Sequence, residues 1–197
     1  MTATTLTLPG RLFSDDTPLH LGQAVAVGRG SSYRLTSDNK LQQLVLGFGG
    51  VQVIPRISNT IKPFLVVVQP EDSELLLALN KVRSRLVHDL GIQDDQMKPI
   101  MAPGKGLLKN RPTLILNPTP SAIFKDAQQK PVDFNSVVGL QCRLIMFVQL
   151  QSVFKHADLS YSLQYQVCQM VLLEDPVAPV IVEQIQVDEI QNVDGLY

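Results

Sequence analysis

Hydrophobic and polar positions alternate most regularly between Leu140 and Cys168. From Leu140 to Gln151, Cys142, Leu144, Met146, Val148 and Leu150 fall on one face. Gln141, Arg143, Ile145, Phe147 and Gln149 fall on the other, because side chains of a strand alternate with a period of two. After the connection SVFKHAD, Leu159, Tyr161, Leu163, Tyr165 and Val167 alternate with Ser160, Ser162, Gln164, Gln166 and Cys168. Strands of ~10 residues are long for a small protein and suit the coiled hairpin of a closed barrel. Upstream, Leu19–Ile57 breaks into QAVAV, YRL, LQQLVLGF and VQVI, with GRGSS and GFGG between. This predicts short antiparallel strands joined by tight turns. Phe64–Val68 is a continuous apolar run, the mark of a strand buried on both faces. Thr113–Leu116 predicts a short strand closed by NPTP, whose two prolines forbid continuation, and Lys125–Pro131 predicts a turn. Residues 1–19 read as irregular.

One helix interrupts this pattern. Leu75, Leu79, Val82, Leu86 and Leu90 recur at spacings of four and three and make one apolar stripe. Asp72 or Ser73 can cap its start, Glu71, Asp72 and Glu74 sit at the positive end of its dipole, and Gly91 ends it. Lys81, Arg83, Arg85 and His88 load its second half, where bases suit the dipole without any ligand. The prediction is a mainly β protein with one amphipathic helix and an N-terminal β-rich extension. Residues 1–180 would form a single domain and residues 181–197 an acidic C-terminal segment.

Composition sharpens this picture in two ways. A chain of 197 residues with 45% hydrophobic and 18% charged residues can bury a sizeable core. Its net charge of −1 hides an asymmetry. Residues 1–155 hold all 17 Lys and Arg against 11 acids, whereas residues 156–197 hold seven acids and no base. A basic body with an acidic appendage is one consequence. Two cysteines, no apolar run of membrane-spanning length and no signal-like start predict a reducing, cytoplasmic location.

Catalytic signatures are missing. His20, His88 and His156 are isolated, and Cys142 and Cys168 lack metal-ligand spacing. The two cysteines fall on strands predicted to be neighbours, where they would be close together as small core fillers. Gly28–Gly30, Gly47–Gly50 and Gly104–Gly106 do not match a phosphate-binding loop. The acid pairs Asp15–Asp16 and Asp94–Asp95 have no partner for acid–base work. The sequence thus predicts no catalytic residue, no metal site and no cofactor, and it favours a non-enzymatic binding protein.

Binding chemistry is better represented. A groove for single-stranded nucleic acid needs cations for phosphates and a few aromatic rings for bases. The candidate cations are Arg29, Arg34, Lys98, Lys105, Lys109, Arg111 and Arg143. Four of them belong to the long basic segment 93–112, punctuated by glycine and proline. The candidate stacking rings are Tyr33, between two arginines, and Phe147, on the strand face of Arg143. Tyr161 and Tyr165 are assigned to the core.

The order of these features resembles a known family. A strand, a helix, a basic loop, a strand ending in NPTP, the turn FKDAQQKPVDF and two long strands ending in LQYQVCQMVLLED are similar to the OB-fold single-stranded DNA-binding proteins of phages and viruses, in particular the phage T7 type. Phe124, Asp126, Lys130 and Pro131 match the aromatic–Asp turn, and VDEIQNVDGLY matches the acidic tail with a terminal aromatic. Gln128–Gln129 stands in place of the glycine turn. The resemblance covers roughly residues 62–175 and the last ten. It implies an OB-fold-like antiparallel barrel, and single-stranded DNA as partner in replication, recombination or repair. It also implies a tail in which Asp188, Glu189, Asp194 and Tyr197 contact replication or recombination proteins. Homodimerisation is left open. The alternative is a structural or assembly protein of a virion or tail, adding PVAPVIVEQI as an edge strand to a neighbour.

Overall fold

The computed structural model describes residues 5–9 (backbone only), 13, 17, 19–37, 43–58, 60–68, 70, 73–101 and 112–178. Its strands are β1 (Thr5–Pro9), β2 (His20–Val27), β3 (Gly30–Thr36), β4 (Gln43–Ile57), β5 (Pro63–Val67), β6 (Ile115–Leu116), β7 (Pro118–Asp126), β8 (Cys142–Lys155) and β9 (Tyr161–Leu172). The helix α1 spans Glu74–Leu90, between β5 and β6.

Strand pairing closes a ring. β4 pairs antiparallel with β5 on one edge and with β8 on the other, and β8 pairs antiparallel with β9 along its length. β5 pairs with β6, and β9 pairs in parallel with β7. Only Asn117 separates β6 from β7, and its carbonyl accepts a 2.9 Å hydrogen bond from the Val167 N–H. With β6 and β7 taken as one interrupted strand, the five barrel strands run first, second, third, fifth, fourth and back to first. The third and fifth are parallel. This is the Greek-key order of an OB-type barrel, and the fold is mainly β and OB-fold-like, with one helix. The β2–β3 hairpin extends it, because β3 pairs with the last residues of β8 beyond the reach of β4.

The barrel interior follows from the alternation. Leu44, Leu46, Val53, Leu65, Leu144, Met146, Val148 and Leu150 are fully buried in one cluster, each burial stabilising by about 1.5–3 kcal/mol. Leu75, Leu79, Val82 and Leu86 of α1 join the same cluster. The helix starts at Ser73, whose Oγ accepts the Leu76 N–H at 3.2 Å, and ends at Gly91 in the left-handed region, φ 62°. Its two arginines are occupied locally. Arg83 pairs with the Asp94 carboxylate and donates to the carbonyls of Met97 and Lys98, while Arg85 binds Asp89 at 2.9 Å.

Four expectations need correction. GFGG is not a turn: β4 runs straight through it, and the pairing with β8 shifts between Phe48 and Val51 as a bulge. A glycine bulge absorbs one extra residue and keeps the strand going. The prolines of NPTP do not end the chain's extended path. Pro118 opens β7, where its missing N–H costs least, and the ladder with β9 resumes only at Ile123. Residues 5–9, read as irregular, form β1 parallel to Gln43–Gly47. Cys142 and Cys168 are not neighbours. Cys142 pairs with Val53, whereas Cys168 sits at the bulge opposite Phe147, several residues along β8. Both thiols are free, and burial pushes Cys142 up to about 11, far from a reactive thiolate.

Candidate nucleic-acid interface

β8 sorts its residues between core and surface, and its neighbours extend the outer set sideways. Cα partners across antiparallel strands point to the same side, so the pairings define rows on the outer face. Gly47, Phe147 and Gln169 form one row, and Gln149 and Gln166 the next, beside an outward but buried Val45. Beyond the bulge at Gln151 follow Arg34, Ser152 and Gln164, then Ser32, Phe154 and Ser162. At the other end Arg143 lies opposite Gln52. The rows run along β8 for about 40 Å at ~3.4 Å per residue.

Polar amides and hydroxyls dominate this surface, and Gln151 Nε2 donates to Gln166 Oε1 at 2.7 Å. β2, β3, β4, β5, β8 and β9 contain no Asp or Glu. The described acids lie on α1 and in the segments around the barrel strands, with Asp126 at the last position of β7. Arg34 and Arg143 are exposed and Phe147 is half-buried between them along the strand direction. Glycines keep the middle low. Gly47 lies directly beside Phe147, and Gly50 (φ 69°) leaves room for the Arg143 guanidinium, whose Nε is 3.3 Å from where a Cβ would stand.

The far end of the face collects a second group of cations. β3 and β8 are antiparallel, so the β2–β3 turn carrying Arg29 lies at the same end as the β8–β9 turn. Lys98 is brought there by its N–H, which donates to the Tyr161 carbonyl at 2.8 Å. Lys155 Nζ lies 5.6 Å from the Tyr161 ring centroid. His156 makes a 2.9 Å contact from Nε2 to Ser162 Oγ and meets Phe154 edge-on at 4.8 Å. Burial first, and the charge of Lys98 second, hold the His156 pKa below its ordinary value. The nearby Asp158 is occupied by Ser160, whose Oγ and N–H both bind its Oδ1, and this lowers its pKa.

No protein-family model matches the chain, and no curated protein sequence matches it. Among solved structures it is similar to the single-stranded DNA-binding protein from bacteriophage Enc34, with 8% identity and a TM-score of 0.45, covering 84% of this chain and 96% of that one. A C-terminal truncation of the same phage protein gives 9% identity, a TM-score of 0.45 and coverage of 82% and 97%. Its complex with single-stranded DNA gives 8%, 0.43, and 79% and 96%.

Of the residues singled out from the sequence, the structure brings Arg34, Arg143 and Phe147 onto one face and sets Arg29 and Lys98 at its end. Tyr33 does not join them. It lies across from the fully buried Val153 and packs on the core, on the side of the sheet opposite Arg34. Lys105, Lys109 and Arg111, and the tail residues Asp188, Glu189, Asp194 and Tyr197, lie outside the described residues. Sequence reasoning missed Phe154 and His156. It ended the strand at Gln151, whereas β8 continues through a bulge there that shifts the alternation by one residue. Two aromatic rings spaced by two in FKH were the available signal.

The outward side chains Ile54, Phe64 and Val66 of β4 and β5 are buried, unlike the β3–β8–β9 rows. OB barrels commonly bind on the second and third strands and adjoining loops. Here the open surface lies on the other side of the first strand and shares only the β8–β9 turn with that arrangement. Among the described residues no cluster of three potential metal ligands occurs, and no helix is long and apolar enough to cross a membrane.

Proposed function

We propose that this protein binds single-stranded DNA without sequence preference, in replication, recombination or repair. The observation that carries the reading is the outer β3–β8–β9 face, free of acids, with a half-buried Phe147 between exposed Arg34 and Arg143. Stacking on a ring tolerates any base, and arginines at both ends neutralise a backbone that runs along β8. Glutamine and serine between them hydrogen-bond sugars, phosphates or base edges without imposing a sequence. The acidic residues 181–197 serve in this reading as the contact for other replication or recombination proteins.

Fluorescence anisotropy on a labelled oligothymidine tests the proposal. With Arg29, Arg34, Lys98 and Arg143 as phosphate contacts, log affinity should fall with log salt at a slope of about −3, from ~0.7 per contact. Phe147→Ala should weaken binding about tenfold and leave that slope unchanged, as loss of one stacking contact requires. Absence of binding at low salt would end the proposal.

His156 offers a second readout. Its folded pKa lies below the unfolded value of about 6.5, so the unfolded chain takes up the proton first. Its contribution to stability is present above pH ~6.5 and is lost as pH falls through the folded pKa. Bound phosphate beside the ring favours the imidazolium. NMR titration should place the free-protein midpoint below 6.5 and move it upward with oligothymidine. A midpoint that ignores DNA would remove His156 from the interface.

A further inference from the structure

The free edge of β2 carries the inference. β2 stands at the end of the sheet, and among the described residues it pairs only with β3. From Gln23 to Val27 every residue is exposed, with Val25 at 61% and Val27 at 49%. Ala24 and Ala26 on the opposite side are exposed as well, so the hairpin projects beyond the barrel body. An edge strand presents unpaired N–H and C=O groups, and proteins usually protect it with charge, proline or a bulge. The bulge here, at Gly22–Gln23, takes in only the first residue of this stretch, which has neither charge nor proline.

We propose that two copies of this chain pair antiparallel along Gln23–Val27, across a twofold axis at Val25. The symmetry makes the stretch its own complement. Val25 meets Val25 of the second copy, Ala24 meets Ala26, and Gln23 meets Val27. Facing β-branched side chains are favourable cross-strand pairs. Charge selects the orientation. The cation of the β2–β3 turn, Arg29, then lies across from Leu21 of the other copy, and the two Arg29 side chains are eight residues apart along the ladder, about 27 Å. A parallel, in-register pairing would instead set Arg29 against Arg29. Joining the two edges makes one continuous sheet, whose outer faces lie side by side. The ladder is short, so the contact belongs to the weak, reversible class.

This inference is independent of DNA binding and is tested without DNA. Sedimentation of the full chain over about 1–500 µM, the range in which weak contacts of this class are read, should show the mass rising from one copy to two. Val25→Lys and Val25→Glu should each remain monomeric, because like charges meet directly at the axis. Mixed one to one, they should recover the doubled mass. Both substitutions are on an exposed strand, and unchanged thermal midpoints would confirm that each variant is folded. A wild type that stays monomeric across the range overturns the proposal. So does a dimer that persists in both charged variants, which would place the contact elsewhere.

Discussion

Reversing both exposed arginines, as Arg34→Glu with Arg143→Glu, is expected to weaken oligothymidine binding by roughly 150-fold or more near 0.1 M salt. The number follows from two charge-assisted contacts at about 1.5 kcal/mol each, a total near 3 kcal/mol. Both side chains are exposed, and the Arg143 guanidinium lies over Gly50. Folding stability should therefore change by no more than about 0.5 kcal/mol. The salt slope should lose about 1.4 of its magnitude, because two phosphate contacts disappear. That signature separates lost contacts from a general weakening. Anisotropy over a salt series, with a thermal melt as control, reads both. An affinity within threefold of wild type would place the DNA elsewhere on the molecule.

Gly30→Ala is expected to cost about 2–3 kcal/mol of stability, the upper part of the range for forcing an extra carbon into a packed site. A Cβ at this position would stand 2.5 Å from Phe154 Cζ and would also collide with the Lys155 carbonyl oxygen. The ring could swing aside, but the carbonyl is backbone, held in the ladder between β3 and β8. The loss should appear as a lower urea midpoint with an unchanged slope, since native compactness is not altered. A loss below 0.5 kcal/mol would mean that the hairpin end yields more easily than its pairing implies. Gly30 sits one residue past the β2–β3 turn, so a glycine that reads as turn chemistry is there for the approach of an aromatic ring. Gly28, with φ 57° and open space around it, is the one that serves the turn.

The barrel was legible wherever burial follows a regular period. Leu159, expected on the inner face of β9, is exposed in the β8–β9 turn, and Tyr165 and Leu90 are only half-buried. The inner face of β8, Tyr161, Leu163 and Val167 of β9, Leu75, Leu79, Val82 and Leu86 of the helix stripe and the doubly buried β5 match the apolar pattern. Their side chains have one partner environment each, and the pattern encodes it. What was not legible concerns irregularities. The bulge at Gly49–Gly50 shifts the phase of a strand without any polar break, and the one at Gln151 shifts it where the polar pair Gln151–Ser152 reads as the strand's end. The split at Asn117 lets one stretch serve two partners. These depend on residues distant in sequence, and no local window contains them. The same limit applies to the site. Arg34 and Phe147 share a face only because β3 docks on the end of β8, and Tyr33, one residue away, is thereby turned to the core. The outward side of β5 is also covered in a way that its own five residues do not announce.

The long first barrel strand has a consequence during synthesis. Val53 pairs with Cys142 and Leu44 with Leu150, so β4 leaves the ribosome on the order of 100 residues before the strand that flanks it. At ~5–20 residues per second, that is a wait of about 5–20 s. Through that interval β4 can pair with β5 on one edge but has no partner strand on the other. Contacts this distant in sequence also make closure slow once the chain is free. Expression at lower temperature, or with a holding chaperone, should therefore raise the soluble yield more than any change to the finished barrel would.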